Sequence, residues 1–472
     1  MSKITLNDVA NLIDETTAKN TINANSAVTQ TAFDNTLSRD GTSPNQMWSN
    51  LDMNSNRILN LPAPIGAGEP VRLHEIQEII LAQLPTAIDS NVYETVASAA
   101  LTNISASVKS IRTIGYYTAG DGGGAEYYHA SGSTSGGFQS ADGQWWQLVK
   151  TGEPNVKQYG AKGDGVASES SSFANAITPW AATTNGSGLG YNLKVPPGLY
   201  LLPTTTNIYN SNAECKLIGV GRPVLSHTGT GIGFNANQPT GFGPLGFHLE
   251  NLTFKGNANT NILLYLNNQM RLDWKNIHLK NASPTGWAFR IDFCIESKFS
   301  HITHDQGDSS IPAVGLQVGT GFASTTGVTE CQFDNLTLEG CGTAIEVANG
   351  NTSGFYGGTC ENNGIGVHVS QYCYDLNFEH LDCEANTSYD WFIEGRSIHL
   401  NNCNGSSANG LTLGGRNNKV TGGFYTTIAG GAGVHNIYDG VSYSGSFSPS
   451  GTYKWRNIFN RDTGIYVADN WT

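Results

Sequence analysis

A chain of 472 residues with a net charge of −13 and only 13% charged side chains is too long for one compact core and offers no basic surface suited to nucleic acid. Its 57 glycines argue for many tight turns between polar, uncharged strands rather than for helical bundles. The first residues, Met1-Ser2-Lys3, open no apolar run, so neither a secretory signal nor a membrane span is expected.

Residues 1–90 differ in character from the rest. Thr5-Leu6-Asn7-Asp8 has the form of a capping box, and Leu6, Val9 and Ile13 follow at helical spacing. A polar Asn/Thr/Ser-rich stretch then leads to the segment from Leu51 to Leu73, LDMNSNRILNLPAPIGAGEPVRL. That segment resembles the short repeat of bacteriophage tail fibres, in which such a motif precedes a helix. The helix here would be Val71–Leu84, with Leu73, Ile76, Ile80 and Leu84 on one stripe and Pro85 ending it. So short a helix needs burial against its own copies, and the resemblance implies a homotrimer with the N-terminal region attached to other phage tail or baseplate proteins.

Residues 91–152 read as a small β-rich connector. Strand-like runs flank Gly120-Asp121-Gly122-Gly123-Gly124, and Tyr116-Tyr117, Tyr127-Tyr128 and Trp145-Trp146 are aromatic pairs suited to packing a small sheet.

The next segment is the most specific. The stretch Val156-Lys157-Gln158-Tyr159-Gly160-Ala161-Lys162-Gly163-Asp164-Gly165-Val166 is followed by a short apolar helix pattern and then by Lys194-Val195-Pro196-Pro197-Gly198-Leu199-Tyr200. Glycine-rich turn, helix and VPPGxY strand resemble the entry into the right-handed parallel β-helices of the pectate-lyase superfamily. The family usually has an acidic pair after the glycine turn, where this chain has Ser168-Glu169-Ser170-Ser171. The resemblance implies a mainly β, single-stranded parallel β-helix over 153–440 and a role in handling polysaccharides. A strand-like aromatic segment, 441–472, would close the coil or the trimer.

A repeat supports the solenoid independently. The template apolar-x-x-apolar-x-apolar occurs at Leu249/Leu252/Phe254, Trp274/Ile277/Leu279, Phe299/Ile302/His304, Phe333/Leu336/Leu338, Phe355/Gly358/Cys360 and Phe378/Leu381/Cys383. Ile398/Asn401/Cys403 is a weaker copy and Cys215/Ile218/Val220 a first one. Copies recur every 20 to 25 residues, apart from two gaps of 34, a period that marks stacked short strands. Second strands follow: Phe289-Arg290-Ile291, Leu316-Gln317-Val318, Ile345-Glu346-Val347, Val367-His368-Val369 and Leu411-Thr412-Leu413. The eight cysteines have no metal-ligand spacing and read as small buried hydrophobes, with Cys360, Cys383 and Cys403 stacked at one register.

Alternation along a strand then picks out the outward residues. One column reads Lys255, Lys280, Asp305, Glu339, Glu361, Glu384, Asn404; its neighbour reads Thr253, His278, Thr303, Thr337, Thr359, Asp382, Asn402. Like charges opposite one another on paired strands are unfavourable, so the carboxylate line invites a functional reason. Closely spaced carboxylates split their protonation, leaving one as acid and another as base or nucleophile, as in glycoside hydrolysis. Glu339, Glu361, Glu384 and Asp382 are therefore the catalytic candidates. The gap of 34 between His304 and Leu338 implies an insertion of about ten residues, Gly307–Gly327, a loop that would wall a groove beside Asp305. The second-strand column, with Arg290, Glu346 and His368, would help bind substrate. No cofactor is called for, although the acidic line could also take Ca²⁺ through its oxygens, which keeps polysaccharide elimination open beside hydrolysis.

The resulting expectation is a phage tailspike or tail-fibre protein, made in a bacterial cytoplasm and carried on the virion tail, that recognises and depolymerises a host surface polysaccharide. The alternative is a non-catalytic glycan-binding adhesin or structural fibre.

Overall fold

The computed structural model describes residues 6–9, 13–34, 91–150, 152–181, 192–208, 215–237, 247–305, 311–320, 327–431 and 433–470. They belong to two compact units, Met1–Leu84 and Pro85–Thr472. The expected helix Val71–Leu84 and its preceding motif lie outside the described residues.

In the first unit the described helix is α1, Glu15–Asp34, within the stretch that reads as merely polar. Its cap is Asp14, whose Oδ1 accepts the N–H groups of Thr16 and Thr17 at 3.1 and 3.3 Å. The expected start at Leu6 and Val9 is not helical. Instead Asn25 on the helix takes both backbone groups of Asn7, at 2.8 and 2.7 Å, and holds that segment alongside. Thr21 and Thr31 return their hydroxyls to the carbonyls of Thr17 and Ala27, which lets a threonine-rich sequence stay helical despite its modest propensity.

The second unit begins with a five-stranded sheet in the spatial order Val92–Tyr93, Ser110–Thr113, Glu126–Ala130, Trp145–Leu148, Phe138–Gln139. Its glycine-rich turn is organised by Asp121, which accepts N–H groups from Tyr116, Tyr117, Thr118 and Gly123. Trp146 is fully buried and donates its Nε1–H to Ser140 Oγ at 3.1 Å; it is a packing residue. The apolar core of this sheet runs on into the next region without a break.

There the chain coils. Each turn lays one strand on the largest sheet and one on an eleven-stranded sheet, and several add a short strand to a third, four-stranded sheet, every pairing between turns being parallel. This is a parallel β-helix. The corners are made by single residues with left-handed backbone, repeated turn after turn: Asn251, Asn276, His301, Asn335, His380 and Asn402 bend the largest sheet, and Arg271, Glu296, Glu330, Thr352, Asp375, Ser397 and Asn417 make the corner into it. Asparagine suits that conformation because its short amide tolerates it. Inside, Phe299, Phe333, Phe355 and Phe378 stack at centroid distances of 5.1, 4.6 and 4.6 Å with planes 8–15° apart. That spacing is the rise between strands. All eight cysteines are buried and free.

The entry motif has a packing logic. Gly163 has φ +69°, and a Cβ there would meet the Tyr200 ring at 2.8 Å; a Cβ on Gly198 would meet the Gly163 carbonyl at 2.7 Å. Turn and VPPGxY strand thus need each other's glycines to touch. Glu169, the acid kept after the turn, is 1% exposed and accepts the N–H groups of Lys162 and Gly163, both at 2.9 Å. The helix α2, Ser170–Ala181, then covers the first turn through Phe173 on Tyr200 and Trp180 on Phe247. At the far end an antiparallel hairpin, Ile458–Asn460 with Ile465–Val467, replaces a further parallel turn, and Asn470 hydrogen-bonds the backbone of Tyr453 and Trp455. The hairpin thus covers the edge of the last parallel turn.

Register corrects the sequence in four places. Phe378 pairs with Leu400 and Cys383 with Gly405, so Cys403 falls two residues short of the Cys360–Cys383 column. The template had matched Ile398, a buried corner residue preceding the strand. Asp382 accordingly faces Asn404, not Asn402. At the start, Leu217 rather than Cys215 pairs with Leu249. A second-sheet turn, Trp391-Phe392-Ile393, lies between Val367–Val369 and Leu411–Leu413. Finally, the stretch Gly307–Gly327 is not one insertion, because it contains the regular strand Val314–Val318.

Candidate functional site

On the largest sheet, Glu339, Glu361 and Glu384 occupy one register on three successive turns, and Thr337, Thr359 and Asp382 form the column beside it. The strands Gln332–Glu339 and Gly354–Glu361, followed by Asp382–Glu384, hold these side chains outward because Leu338, Cys360 and Cys383 point into the core. Successive turns lie about 4.8 Å apart. Among the described residues no basic side chain comes within 4.0 Å of these four carboxylates. The consequence is electrostatic. Partial burial, then the charges of Glu384, Glu339 and Asp382, push the Glu361 carboxyl above the usual carboxylate range, and it lies in hydrogen-bonding reach of Glu384.

The preceding turn is different. Asp305 has His278 Nε2 2.8 Å from its Oδ2 and Lys280 Nζ at 3.9 Å. Burial holds the His278 imidazole below its ordinary pKa, against the pull of Asp305. Asp305 continues the line in sequence but has the Lys280 ammonium beside it, so the acidic run without a basic neighbour begins at Glu339.

The other named candidates sit on the eleven-stranded sheet, away from the carboxylate line. The outward column there reads Tyr265, Arg290, Gln317, Glu346, His368, Phe392, Thr412. Arg290 forks onto Asp292 at 2.7 and 3.3 Å, lies 5.0 Å over the Trp287 ring, and shares Asp292 with the Tyr265 hydroxyl. Gln317 donates to Glu346 at 2.7 Å. His368 sits 4.0 Å from Glu346 and 3.2 Å from Glu394, stacked 5.2 Å from Phe392, which stacks in turn on Tyr389. The structure therefore joins Glu346 and His368 to each other, and Arg290 to a separate acid.

Sequence reasoning missed this sheet's aromatic face, made by Tyr265, Trp287, Tyr389 and Phe392. The signal was present in the Trp391-Phe392-Ile393 turn, which has the same apolar-x-apolar form as its neighbours. It also missed Arg396 and Arg416, each one residue before a left-handed corner. Among the described residues no group of three or more His, Cys, Asp and Glu side chains is arranged to hold a metal ion, and no helix is long and apolar enough to cross a membrane.

No family model and no curated protein matches the sequence. Solved structures match its fold. One is the enzymatically active domain of tailspike protein 2 of bacteriophage CBA120, 12% identical with a TM-score of 0.53, the match covering 81% of this chain and 59% of that one. This chain thus spans little more than half of that domain's length. Another is tailspike protein gp49 from the Acinetobacter baumannii bacteriophage Fri1, a capsular polysaccharide depolymerase, 10% identical with a TM-score of 0.52 over 80% of this chain and 76% of that one. At these identities the likeness is one of fold.

Proposed function

We propose that this protein is a phage tailspike whose β-helix binds and cleaves a host surface polysaccharide at the Glu339–Glu361–Glu384 ladder. The observation that carries the reading is the uncompensated stack itself, with its middle carboxyl biased toward the protonated form. A folded chain keeps such repulsion where chemistry uses it. The fold shared with tailspikes, one of them a capsular polysaccharide depolymerase, supports the substrate class.

In this reading Glu361 is the general acid that protonates the glycosidic oxygen. Glu384, in hydrogen-bonding reach, helps hold the proton on Glu361. Asp382 is one turn on and diagonal to Glu361, farther off than Glu384 directly opposite, which favours the wider inverting arrangement with a water between the two carboxyl groups. Asp382 is then the base that activates that water, and Glu339 flanks the acid on the preceding turn. The protein acts as a homotrimer with residues 1–90 on the virion; light scattering of the full chain should give three times the monomer mass.

The test is incubation with capsule or exopolysaccharide from candidate hosts, followed by a reducing-end assay and the ultraviolet absorbance of an unsaturated uronate. New reducing ends without absorbance, with the inverted anomer by NMR, are expected. Absorbance would replace hydrolysis with elimination. Binding to a host glycan that is never cut would leave an adhesin.

A further inference from the structure

Where the four-stranded sheet ends, the corner continues as single bridges: Asn351 to Tyr374, Tyr374 to Arg396, Arg396 to Arg416, Arg416 to Val434. Two arginines therefore face each other on adjacent turns, about 4.8 Å apart along the coil. Like charges so placed repel, and among the described residues neither guanidinium has a carboxylate within 4.0 Å. The pair is also positioned. The Arg396 guanidinium lies 5.5 Å over the Tyr374 ring, whose hydroxyl takes a hydrogen bond from Asn351 at 3.0 Å.

Both arginines line a groove of about 530 Å³, with Gln371, Phe392, Glu394 and Thr412 as its other side-chain walls. Glu394 in that groove is turned to His368 and leaves the guanidinium pair uncompensated. Phe392 and Thr412 belong equally to the outward column of the eleven-stranded sheet, so the groove opens directly onto its aromatic face. In a protein of net charge −13, two unpaired arginines beside a stacking ring form a local exception to the surface.

We propose that Arg396 and Arg416 clamp the anionic substituent of a sugar residue, a carboxylate or a phosphate, while Phe392 stacks on a neighbouring ring of the same glycan. Guanidinium forks match both anions in two-point geometry. This deepens the reading above by naming the substrate class as an acidic polysaccharide, and it rests on that reading for the identity of the ligand as a glycan.

Three polymers with one neutral backbone make the test: carboxymethyl dextran, dextran phosphate and dextran, run as affinity-electrophoresis gels with the full-length protein. The wild type should be retarded by one or both anionic gels and not by dextran, and retardation should fade with added salt. The double variant R396Q/R416Q should bind roughly tenfold more weakly, two exposed ion pairs being involved, and its circular dichroism should match the wild type. Retention in the carboxymethyl gel alone assigns a uronate-like group, and in the phosphate gel alone a phosphorylated sugar. Equal retardation of wild type and double variant, or none of either, overturns the clamp. E361Q should be retarded as the wild type is. If the clamp holds and no glycan is ever cut, the hydrolytic reading fails alone; if E361Q abolishes cleavage while R396Q/R416Q changes nothing, the clamp fails alone.

Discussion

Two outward ladders run along this coil under the same geometry, and they treat charge in opposite ways. On the eleven-stranded sheet nearly every charged group meets a complement: Arg290 with Asp292, Glu346 with Gln317 and His368, His368 again with Glu394. On the largest sheet three glutamates stack with nothing between them. Both columns are fixed by register, so the fold does not force either arrangement. The paired ladder is what stability alone produces; the unpaired one requires another explanation, and the proposed function assigns it proton transfer.

The comparison breaks most visibly at Glu361. Substituting it with Gln keeps the shape and removes the proton, so cleavage should fall by about 10²–10⁴ in kcat, the usual worth of a positioned acid, with KM little changed. Full retained turnover would sink the ladder as catalyst. A carboxylate of the compensated kind answers differently. Glu169→Ala leaves two part-buried N–H groups without their acceptor and should cost about 1 kcal/mol, read as a lower denaturant midpoint, while kcat on the folded protein is kept.

Much of this was legible in the sequence, for a physical reason. A solenoid repeats its core position each turn, so Phe333, Phe355 and Phe378 announce the register, and alternation then delivers Glu339, Glu361 and Glu384 without coordinates. The register slipped at Leu400, where the left-handed corner at Asn402 splits the strand and a buried corner residue, Ile398, imitates the first core position. The arginine pair was not legible for a related reason. Arg396 and Arg416 sit where strands have shrunk to single bridges, leaving no alternation to mark them as neighbours. The helix α1 was missed because its helicity rests on Asp14 and on threonine back-bonds rather than on an apolar stripe.

On the paired sheet the expected effects are smaller. His368→Ala removes the contact joining Glu346 and Glu394 and takes the His368 ring out of the aromatic face it forms with Phe392. If that face binds glycan, KM should rise about three- to tenfold, the worth of one modest polar or stacking contact, and kcat should hold. A fall in kcat matching that of E361Q would merge the two sheets into one site and erase the distinction drawn above.

The smallest effect is the sharpest test, because it concerns stability rather than turnover. The folded protein raises the Glu361 pKa, so the folded state binds this proton more tightly than the unfolded chain does. Its favourable contribution is complete below the unfolded value of about 4.3 and is lost as pH rises through the raised folded value; above that, repulsion within the ladder opposes folding. E361Q removes the repulsion and should be more stable than the wild type at pH above that window. The gain should be a few tenths of a kcal/mol to about 1 kcal/mol, the cost of like charges on paired strands, and should vanish as pH falls through the window. Glu346→Gln, made on the compensated ladder, should give no such gain, since Glu346 loses favourable contacts with its charge. Chemical denaturation of both variants at mildly alkaline and at acidic pH makes the measurement. An E361Q variant less stable than the wild type at alkaline pH would mean that an unseen cation or a neighbouring subunit compensates the ladder, and the contrast between the two sheets would then lie in what binds them rather than in the chain itself.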